Sequence, residues 1–208
     1  MPKAYLISGA PRIGKTTVMH ALVEKRPMQS ISTDTIRSLL RRMMPKTIEN
    51  QALFERVEGV NGFAREQILL YLKDVNQVID DQYDESRIVW EAVKHIITSS
   101  MEDGIDIAVE GVAVLPEKIS ELNCEWSAVV LGNTSKNLGD IVRKSAMENK
   151  YDWLHGCDPQ ILDARIGFLI ESNLHFKGQA ERYNLPFVDI AEYGYENAIR
   201  EAVEELMK

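Results

Sequence analysis

The stretch GAPRIGKTT, at residues 9–17, constrains the fold more than any other part of the sequence. It follows the apolar run AYLIS, at 4–8, and precedes the helical pattern VMHALVEK. Its first eight residues have the spacing G-x-x-x-x-G-K-[ST] of a phosphate-binding loop between a strand and a helix. Gly9 and Gly14 allow a tight turn with inward-pointing N–H groups, and the helix beginning near Lys15 adds the positive end of its dipole. The pattern predicts an α/β fold that binds nucleotide phosphates.

Two side chains of this loop are predicted to have specific roles. Lys15 is expected to reach the β- and γ-phosphates, and the Thr16 hydroxyl is expected to hold Mg²⁺. A nucleotide and Mg²⁺ are therefore the predicted ligands of the loop. The residues expected to surround the nucleotide phosphates are Gly9, Ala10, Pro11, Arg12, Ile13, Gly14, Lys15, Thr16 and Thr17.

Length and charge limit the classes of protein that fit this sequence. The chain of 208 residues is about the size of one domain, so a single domain at 1–208 is expected. Its net charge of −8 argues against a nucleic-acid-binding surface, because phosphate backbones are bound by clustered positive charge. Cys124 and Cys157 are too few for a disulfide framework, and no signal peptide or membrane span is predicted. We expect a cytoplasmic protein, and a monomer and a homodimer both stay open.

Short apolar runs alternate with helical patterns, which predicts a parallel sheet covered by helices. The strands are expected at 4–8, 29–33, 105–110, 127–132 and 186–190. Between the second and third strands, three helical patterns contain Ile36, Leu39, Leu40, Met43 and Met44; Ile68, Leu69, Leu72, Val75, Val78 and Ile79; and Ile88, Val89, Ala92, Val93, Ile96 and Ile97. Pro45 is expected to end the first helix. The segment DDQYDESR, at 80–87, is interpreted as a solvated acidic turn between the other two.

Ligands of open parallel sheets bind beyond the carboxyl ends of the strands. Asp34 follows the second strand, and Glu110 and Gly111 come at the end of the third, so all three are expected beside the substrate. Asp34 is predicted to accept the proton of an acceptor hydroxyl; a helix N-cap is the alternative, and the two roles can coexist. Glu110 is predicted to associate with Mg²⁺, with a salt bridge to a nearby cation as the alternative.

Arginine side chains near this end of the sheet are candidates for binding anionic groups. Arg37 lies one helical turn after Asp34, and its guanidinium would grip a carboxylate or phosphate of the acceptor. A helix–loop–helix at about 136–165 is predicted to be a lid. Arg143, as first choice, and Arg165, as second, would compensate charge on the transferred phosphoryl group. A solvated surface position is the alternative for each of the three arginines.

Taken together, these residues resemble the small-molecule kinases of the P-loop superfamily. The resemblance rests on GAPRIGKTT, STDTIR, IAVEGV and AERYNLPFVDI, and the segments VEGVAVLP and DTIR look most like 2-phosphoglycerate kinase and the zeta-toxin and chloramphenicol phosphotransferase group. It implies a three-layer α/β/α fold with a five-stranded parallel sheet in the order 2-3-1-4-5. It also implies a helical lid. The long helical interval at about 47–86 departs from the smallest members of this group and is expected to be an insertion.

The same resemblance implies an activity and distributes its roles. The γ-phosphate of ATP would move to a hydroxyl or phosphate of a small acceptor, with an anionic one indicated by Arg37. Lys15 and Thr16 would hold the nucleotide, Asp34 would engage the acceptor hydroxyl, and a lid arginine would assist. The loop AEYGYEN would border adenine, where Tyr193 and Tyr195 are contacts or surface residues.

Other nucleotide-binding classes fit the sequence less well. A regulatory GTPase normally carries Asn-Lys-x-Asp after a late strand, and GNTSKNLGD lacks that spacing. A mechanical ATPase would usually end a strand with Asp-Glu, whereas the third strand here ends with Glu-Gly. A nucleoside or nucleotide kinase would have a similar core and stays open, as does a nucleotide sensor without turnover. A polynucleotide kinase is disfavoured by the acidic charge balance.

Overall fold

The computed structural model describes residues 1–55, 68–69 and 72–208. Two parts of the predicted helical insertion at about 47–86, namely residues 56–67 and 70–71, lie outside the described residues. Within the described ranges, no helix combines the length and the apolar character needed to cross a membrane.

Five strands form one parallel sheet within the described part of the chain. They are β1 (Lys3–Gly9), β2 (Gln29–Ser32), β3 (Ile107–Glu110), β4 (Glu125–Gly132) and β5 (Phe187–Asp189). Their spatial order is β2-β3-β1-β4-β5, which confirms the predicted order 2-3-1-4-5. Each observed strand overlaps one of the predicted strands. The order places β1 at the centre of the sheet, so the loop that follows it lies near the middle of the carboxyl edge.

Helices cover both faces of this sheet, which confirms the predicted three-layer architecture. In the described ranges they are α1 (Lys15–Lys25), α2 (Thr33–Met43), α3 (Ala52–Glu55), α4 (Val75–Glu102), α5 (Leu138–Glu148), α6 (Pro159–Arg182), α7 (Ile190–Tyr193) and α8 (Tyr195–Leu206), with 3-10 helices at Ile48–Asn50 and Pro116–Glu121. On one face, α1 and α8 bury Leu22 and Val203 in a shared hydrophobic core. On the other face, α4 buries Trp90 and Val93.

Helix α4 corrects one interpretation of the sequence. The residues 80–87 are not a solvated acidic turn, because they lie inside a continuous helix of 28 residues. The helix contains no glycine or proline, so nothing in its backbone interrupts it. Gln82, Glu85 and Ser86 are buried and continue the helical spacing that begins at Val78. These polar side chains therefore face the interior of the protein.

Helix α2 ends where the sequence predicts, but its apolar side chains are not all buried. The helix stops at Met43, two residues before Pro45, because the residue before a proline is restricted to extended backbone. Ile36 is buried, whereas Leu39 and Met43 are 55% and 73% exposed. The spacing of Ile36, Leu39 and Met43 therefore does not form one buried face, because the outer part of α2, which follows the edge strand β2, leaves Leu39 and Met43 exposed to solvent.

The register of the sheet brings the carboxyl ends of three strands together. Glu110, the last residue of β3, pairs with Ile7 of β1 on one side and with Ser32 of β2 on the other. Gly9 is the last residue of β1, and Asp34 follows β2 by two residues. Both therefore lie at the same edge of the sheet as Glu110. This edge holds the candidate active site.

Candidate active site

The phosphate loop between β1 and α1 has backbone with positive φ at Arg12 and Gly14. Arg12 has φ 66° and Gly14 has φ 88°, both in the left-handed region. A Cβ atom at Gly14 would lie 2.9 Å from the hydroxyl oxygen of Tyr195, in a conformation that L residues rarely adopt. Glycine at this position lets the loop turn into α1 while α8 packs closely behind it.

Lys15 is buried inside the loop, with an exposed fraction of 7%. Its ammonium group donates a hydrogen bond of 2.5 Å to the backbone oxygen of Ala10. Burial lowers the pKa of Lys15 to about 8, against the opposing effect of the carboxylates of Glu110 and Asp34. The loop therefore encloses a desolvated cation whose electrostatic neighbours are the two predicted carboxylates.

Thr16 and Glu110 meet beside Lys15. The Thr16 hydroxyl donates to Glu110 Oε1 over 3.1 Å, and Glu110 is buried at the end of β3. Across the described ranges there is no group of three or more His, Cys, Asp or Glu side chains that could hold a metal ion. Mg²⁺ in phosphate-transfer sites usually binds one or two protein oxygens together with substrate phosphates and water. A hydroxyl and a carboxylate at the phosphate loop fit that requirement.

Asp34 is the second residue of α2 and is not its N-cap. The N-cap of α2 is Ser32, whose side chain accepts a hydrogen bond from the Asp34 backbone N–H. The Asp34 side chain is 68% exposed and lies 3.5 Å from an Arg37 nitrogen. The N-cap alternative for Asp34 is therefore wrong, and its carboxylate faces the open side of the site.

Gly111 allows β3 and the start of α2 to approach each other. It has φ 143°, and a Cβ atom there would lie 1.8 Å from the Thr33 hydroxyl oxygen. A side chain at position 111 would therefore push α2 away from the sheet. The close packing keeps Asp34 near Glu110.

A cavity of about 680 Å³ collects most of the predicted site residues. Those that line it are Pro11, Arg12, Ile13, Gly14, Lys15, Thr16, Thr17, Asp34, Arg37, Glu110, Gly111 and Arg165. Its wall also includes the apolar side chains of Leu72, Val78, Val112, Leu154 and Phe168, which the sequence pattern did not assign to the site. Three predicted residues are not among those that line it, namely Gly9, Ala10 and Arg143. The Arg143 guanidinium lies 2.7 Å from Asp163 and 3.5 Å from Asp140 on the surface.

Glu85 of α4 is a buried charge that the sequence analysis missed. It is 2% exposed and lies 2.8 Å from an Arg41 nitrogen and 3.8 Å from an Arg37 nitrogen. Arg41 Nε also donates to the backbone oxygen of Leu53. Glu85 therefore ties both arginines of α2 to α4. The sequence does contain a signal for this contact, because Glu85 lies seven residues after Val78 and this spacing places both on one face of a helix. The acidic composition of 80–87 instead favoured the interpretation as a solvated turn.

Replacing Glu85 by glutamine is expected to lower the free energy of unfolding by about 3 kcal/mol, because removing one partner of a buried ion pair leaves charge uncompensated. This is the low end of the usual range, since the Arg37 and Arg41 side chains are 22% and 23% exposed. Urea unfolding followed by circular dichroism measures the loss. The matched control is Glu91→Gln on the same helix, at an exposed pair with Lys94, where a change below about 0.5 kcal/mol is expected. Equal losses in the two variants would contradict the role of Glu85 as the buried partner of Arg37 and Arg41.

The segment between α5 and α6 contacts the phosphate loop through Asp152. Its buried carboxylate accepts both hydrogen bonds of the Arg12 guanidinium, and it also accepts from the Ser145 hydroxyl at 2.7 Å and the Leu154 N–H at 2.9 Å. The hydrogen bonds from Arg12 lower the pKa of Asp152 to about 2. No sequence motif indicated this residue.

A second cavity, of about 530 Å³, lies on the other side of the phosphate loop. Pro11, Arg12 and Ile13 line both cavities. Its other walls come from the start of α5 and from the Ile190–Tyr195 segment, where Tyr195 shares a hydrogen bond of 3.1 Å with the Thr17 hydroxyl. Asn133 is positioned by Asn173, whose side-chain oxygen accepts the Asn133 N–H at 2.7 Å. Tyr195 lines this cavity, whereas Tyr193 does not.

Sequence comparison finds a distant relative among the curated proteins, and no protein-family model matches the chain. A 2-phosphoglycerate kinase from Thermococcus kodakarensis is 24% identical over 126 residues, which are 60% of this chain. The match spans 41% of the relative's length.

Solved structures match over almost the whole chain. A shikimate kinase from Bacteroides thetaiotaomicron superposes with a TM-score of 0.50 at 14% identity, covering 98% of this chain and 96% of the other. A gluconokinase from Sinorhizobium meliloti 1021 has a TM-score of 0.49 at 14% identity, with coverages of 99% and 92%. The likeness to the shikimate kinase, the sheet order and the phosphate loop after β1 show that this chain has the P-loop kinase fold.

Proposed function

We propose that the protein is an ATP-dependent phosphotransferase that moves the γ-phosphate of ATP to a hydroxyl or phosphate of a small metabolite. The observation that carries the proposal is the shared cavity of Lys15, Asp34 and Glu110. It joins a phosphate-binding loop to a carboxylate that can orient a nucleophile, and phosphoryl transfer depends mainly on such positioning and charge compensation. A fold of this kind hosts many activities, so the residues of the site support this function and the fold alone does not.

The two cavities offer separate places for the two substrates. The phosphates of ATP would lie in the loop 9–17, where Lys15 supplies a buried positive charge. The nucleoside would lie in the second cavity, against Ile13 and Tyr195. The acceptor would enter the main cavity beside Asp34. In this arrangement the phosphate loop, which borders both cavities, would place the γ-phosphate of ATP beside the acceptor in the main cavity.

The residues of the chain then have defined tasks during transfer. Asp34 accepts the proton of the attacking hydroxyl and orients its oxygen toward the γ-phosphate. Thr16 and Glu110 would hold Mg²⁺, which when bound neutralises charge between the β- and γ-phosphate oxygens. Lys15 stabilises the negative charge of the transferred group from within the loop.

Arg165 is a better candidate than Arg143 for compensating charge on the transferred phosphoryl group. Arg165 lines the main cavity. Arg143 is held on the surface by Asp163 and Asp140. The order of preference from the sequence is therefore reversed in this proposal, and segment 136–165 keeps its proposed role as a lid.

The acceptor is proposed to be anionic and compact, of the type of 2-phosphoglycerate. Arg37 and Arg165 supply positive charge in a cavity whose wall also contains the apolar side chains of Leu72, Val78, Val112, Leu154 and Phe168, a combination that suits a small carbon skeleton bearing a carboxylate or phosphate. The partial likeness to a 2-phosphoglycerate kinase is in line with this acceptor. A nucleoside or nucleotide kinase is the second candidate, because its core would be similar.

Arg37→Ala is expected to raise the KM for the acceptor about 10- to 100-fold with a smaller change in kcat, because one charge-assisted hydrogen bond is worth about 1.5–3 kcal/mol. Steady-state kinetics with the acceptor varied at saturating ATP measures the effect. Arg42→Ala is the matched control, since Arg42 is an exposed residue of the same helix. An unchanged acceptor KM in Arg37→Ala would leave Arg37 with a structural role through its pairing with Glu85 and remove the support for an anionic acceptor.

ADP production from Mg-ATP, measured against pools of small metabolites, tests the proposed function. The pools contain phosphorylated glycerates, sugars, nucleosides, nucleotides, and aminoglycoside-like or amphenicol alcohols. A pool that stimulates the wild type but not Asp34→Asn supports a kinase and leads to its acceptor. ATP binding with slow hydrolysis that no pool stimulates would instead favour a nucleotide sensor or a partner-activated NTPase.

A further inference from the structure

Trp153 lies against two arginine side chains at the entrance of the main cavity. The Cζ atom of Arg12 is 5.7 Å from the centre of its ring, and the Cζ atom of Arg165 is 4.9 Å from it. Both distances are in the range of cation–π attraction. The three side chains line the same cavity. The indole therefore connects an arginine of the phosphate loop with the arginine proposed to compensate charge during transfer.

Asp152, the preceding residue, fixes this arrangement to the phosphate loop. Its side chain is 3% exposed and its carboxylate binds Arg12 through two hydrogen bonds. Ser145 and the Leu154 N–H hold the same carboxylate from its own segment. A bidentate pair sets the direction as well as the distance of a guanidinium. The placement of Trp153 is therefore coupled to the backbone of the phosphate loop.

We propose that Asp152 and Trp153 are positioning residues for phosphoryl transfer, an inference that rests on the proposed function. Asp152 holds Arg12 and thereby docks its own segment on the phosphate loop, and Trp153 then holds Arg165 at the cavity. Neither residue touches the reacting atoms. An arginine side chain has about 2 kcal/mol of rotamer entropy, and stacking on a fixed ring restricts it before the substrates arrive.

The size of the expected effect follows from how sensitive transfer is to geometry. A displacement of about 1 Å at a reacting centre can cost about 10²-fold in rate. Asp152→Asn keeps the shape of the side chain but removes its charge, so the paired hydrogen bonds with Arg12 are weakened. We expect kcat to fall about 30- to 100-fold, while the KM for ATP stays within about 3-fold.

A double-mutant experiment separates positioning from a structural role. In an Arg165→Ala background, Asp152→Asn should lower kcat by less than about 3-fold, because Arg165, which Asp152 positions indirectly through Trp153, is already absent. Equal losses in the two backgrounds would overturn the inference. Glu148→Gln, at an exposed carboxylate near the same segment, is the charge-matched control and should leave kcat unchanged. A large loss in this control would mean that the effect is one of net charge.

The ring itself is tested by a conservative and a non-conservative change. Trp153→Phe keeps an aromatic face for the guanidinium groups, and its kcat should stay within about 3-fold of the wild type. Trp153→Leu keeps apolar bulk without that face, and its kcat should fall about 10-fold or more. Equal kcat values for the two variants would overturn the role of the ring.

A measurement without turnover distinguishes failure of this inference from failure of the proposed function. If no acceptor supports transfer in the wild type, acrylamide quenching of Trp153 emission still reports its position. That emission is obtained as the difference between a protein and its Trp153→Phe variant. Asp152→Asn should raise the quenching constant toward that of a fully exposed indole. An unchanged constant would overturn the inference even if the kinase activity were established.

Discussion

Lys15→Ala is expected to lower kcat for phosphoryl transfer by about 10³-fold, the scale on which removal of a preorganised charged donor acts. Lys15 is buried in the loop, and its pKa of about 8 leaves it largely charged at neutral pH. In so desolvated a position the ammonium group would interact strongly with the phosphate oxygens of a bound nucleotide, because little water screens it. Steady-state ADP production and ATP titration by calorimetry measure the losses in turnover and binding.

The control for this experiment is Lys25→Ala, at an exposed lysine in the last turn of the same helix. It removes the same charge from α1 without changing the loop, and its turnover should equal that of the wild type. Circular dichroism of both variants excludes a loss of fold as the cause. Near-normal turnover in Lys15→Ala would contradict the assignment of 9–17 as the nucleotide loop.

The parallel sheet was predictable because its signals are local and strong. The three central strands of the sheet are short apolar runs, and the phosphate-loop spacing places a strand before Gly9 and a helix after Gly14. The sheet order came from the resemblance to P-loop kinases, and the structure confirms it. Composition misled at 80–87, where several acidic residues were interpreted as solvated although one of them, Glu85, is paired inside the protein.

The parts of the candidate site in which a short motif determines the backbone could be predicted. The parts in which side chains from distant positions in the sequence contact each other could not. Lys15 was predicted from the spacing of the phosphate loop, and Glu110 was predicted from its position at the end of the third strand. Asp152 meets Arg12 across 140 positions, and no spacing rule connects them. The choice between Arg143 and Arg165 likewise depends on which of the two side chains lines the cavity, and the sequence pattern does not specify this.

Asp34→Asn is expected to lower kcat about 10²- to 10⁴-fold with little change in ATP affinity, because an amide cannot accept the proton of the attacking hydroxyl. The structure makes this substitution a clean test of chemistry. Ser32 caps α2, so the helix does not depend on the Asp34 carboxylate. The side chain is 68% exposed, and asparagine has nearly the same shape. Single-turnover transfer with ATP and acceptor at saturation measures the chemical step.

A control variant and the dependence on acceptor concentration are needed to interpret this experiment. Asp84→Asn, at an exposed carboxylate of α4, removes the same charge away from the cavity and should leave transfer unchanged. In Asp34→Asn, the loss should persist at any acceptor concentration, because a missing proton acceptor is not replaced by tighter occupancy. Weakened ATP binding with intact transfer would contradict a role in proton transfer. Asp34 would then act on the nucleotide side, through its electrostatic effect on Lys15.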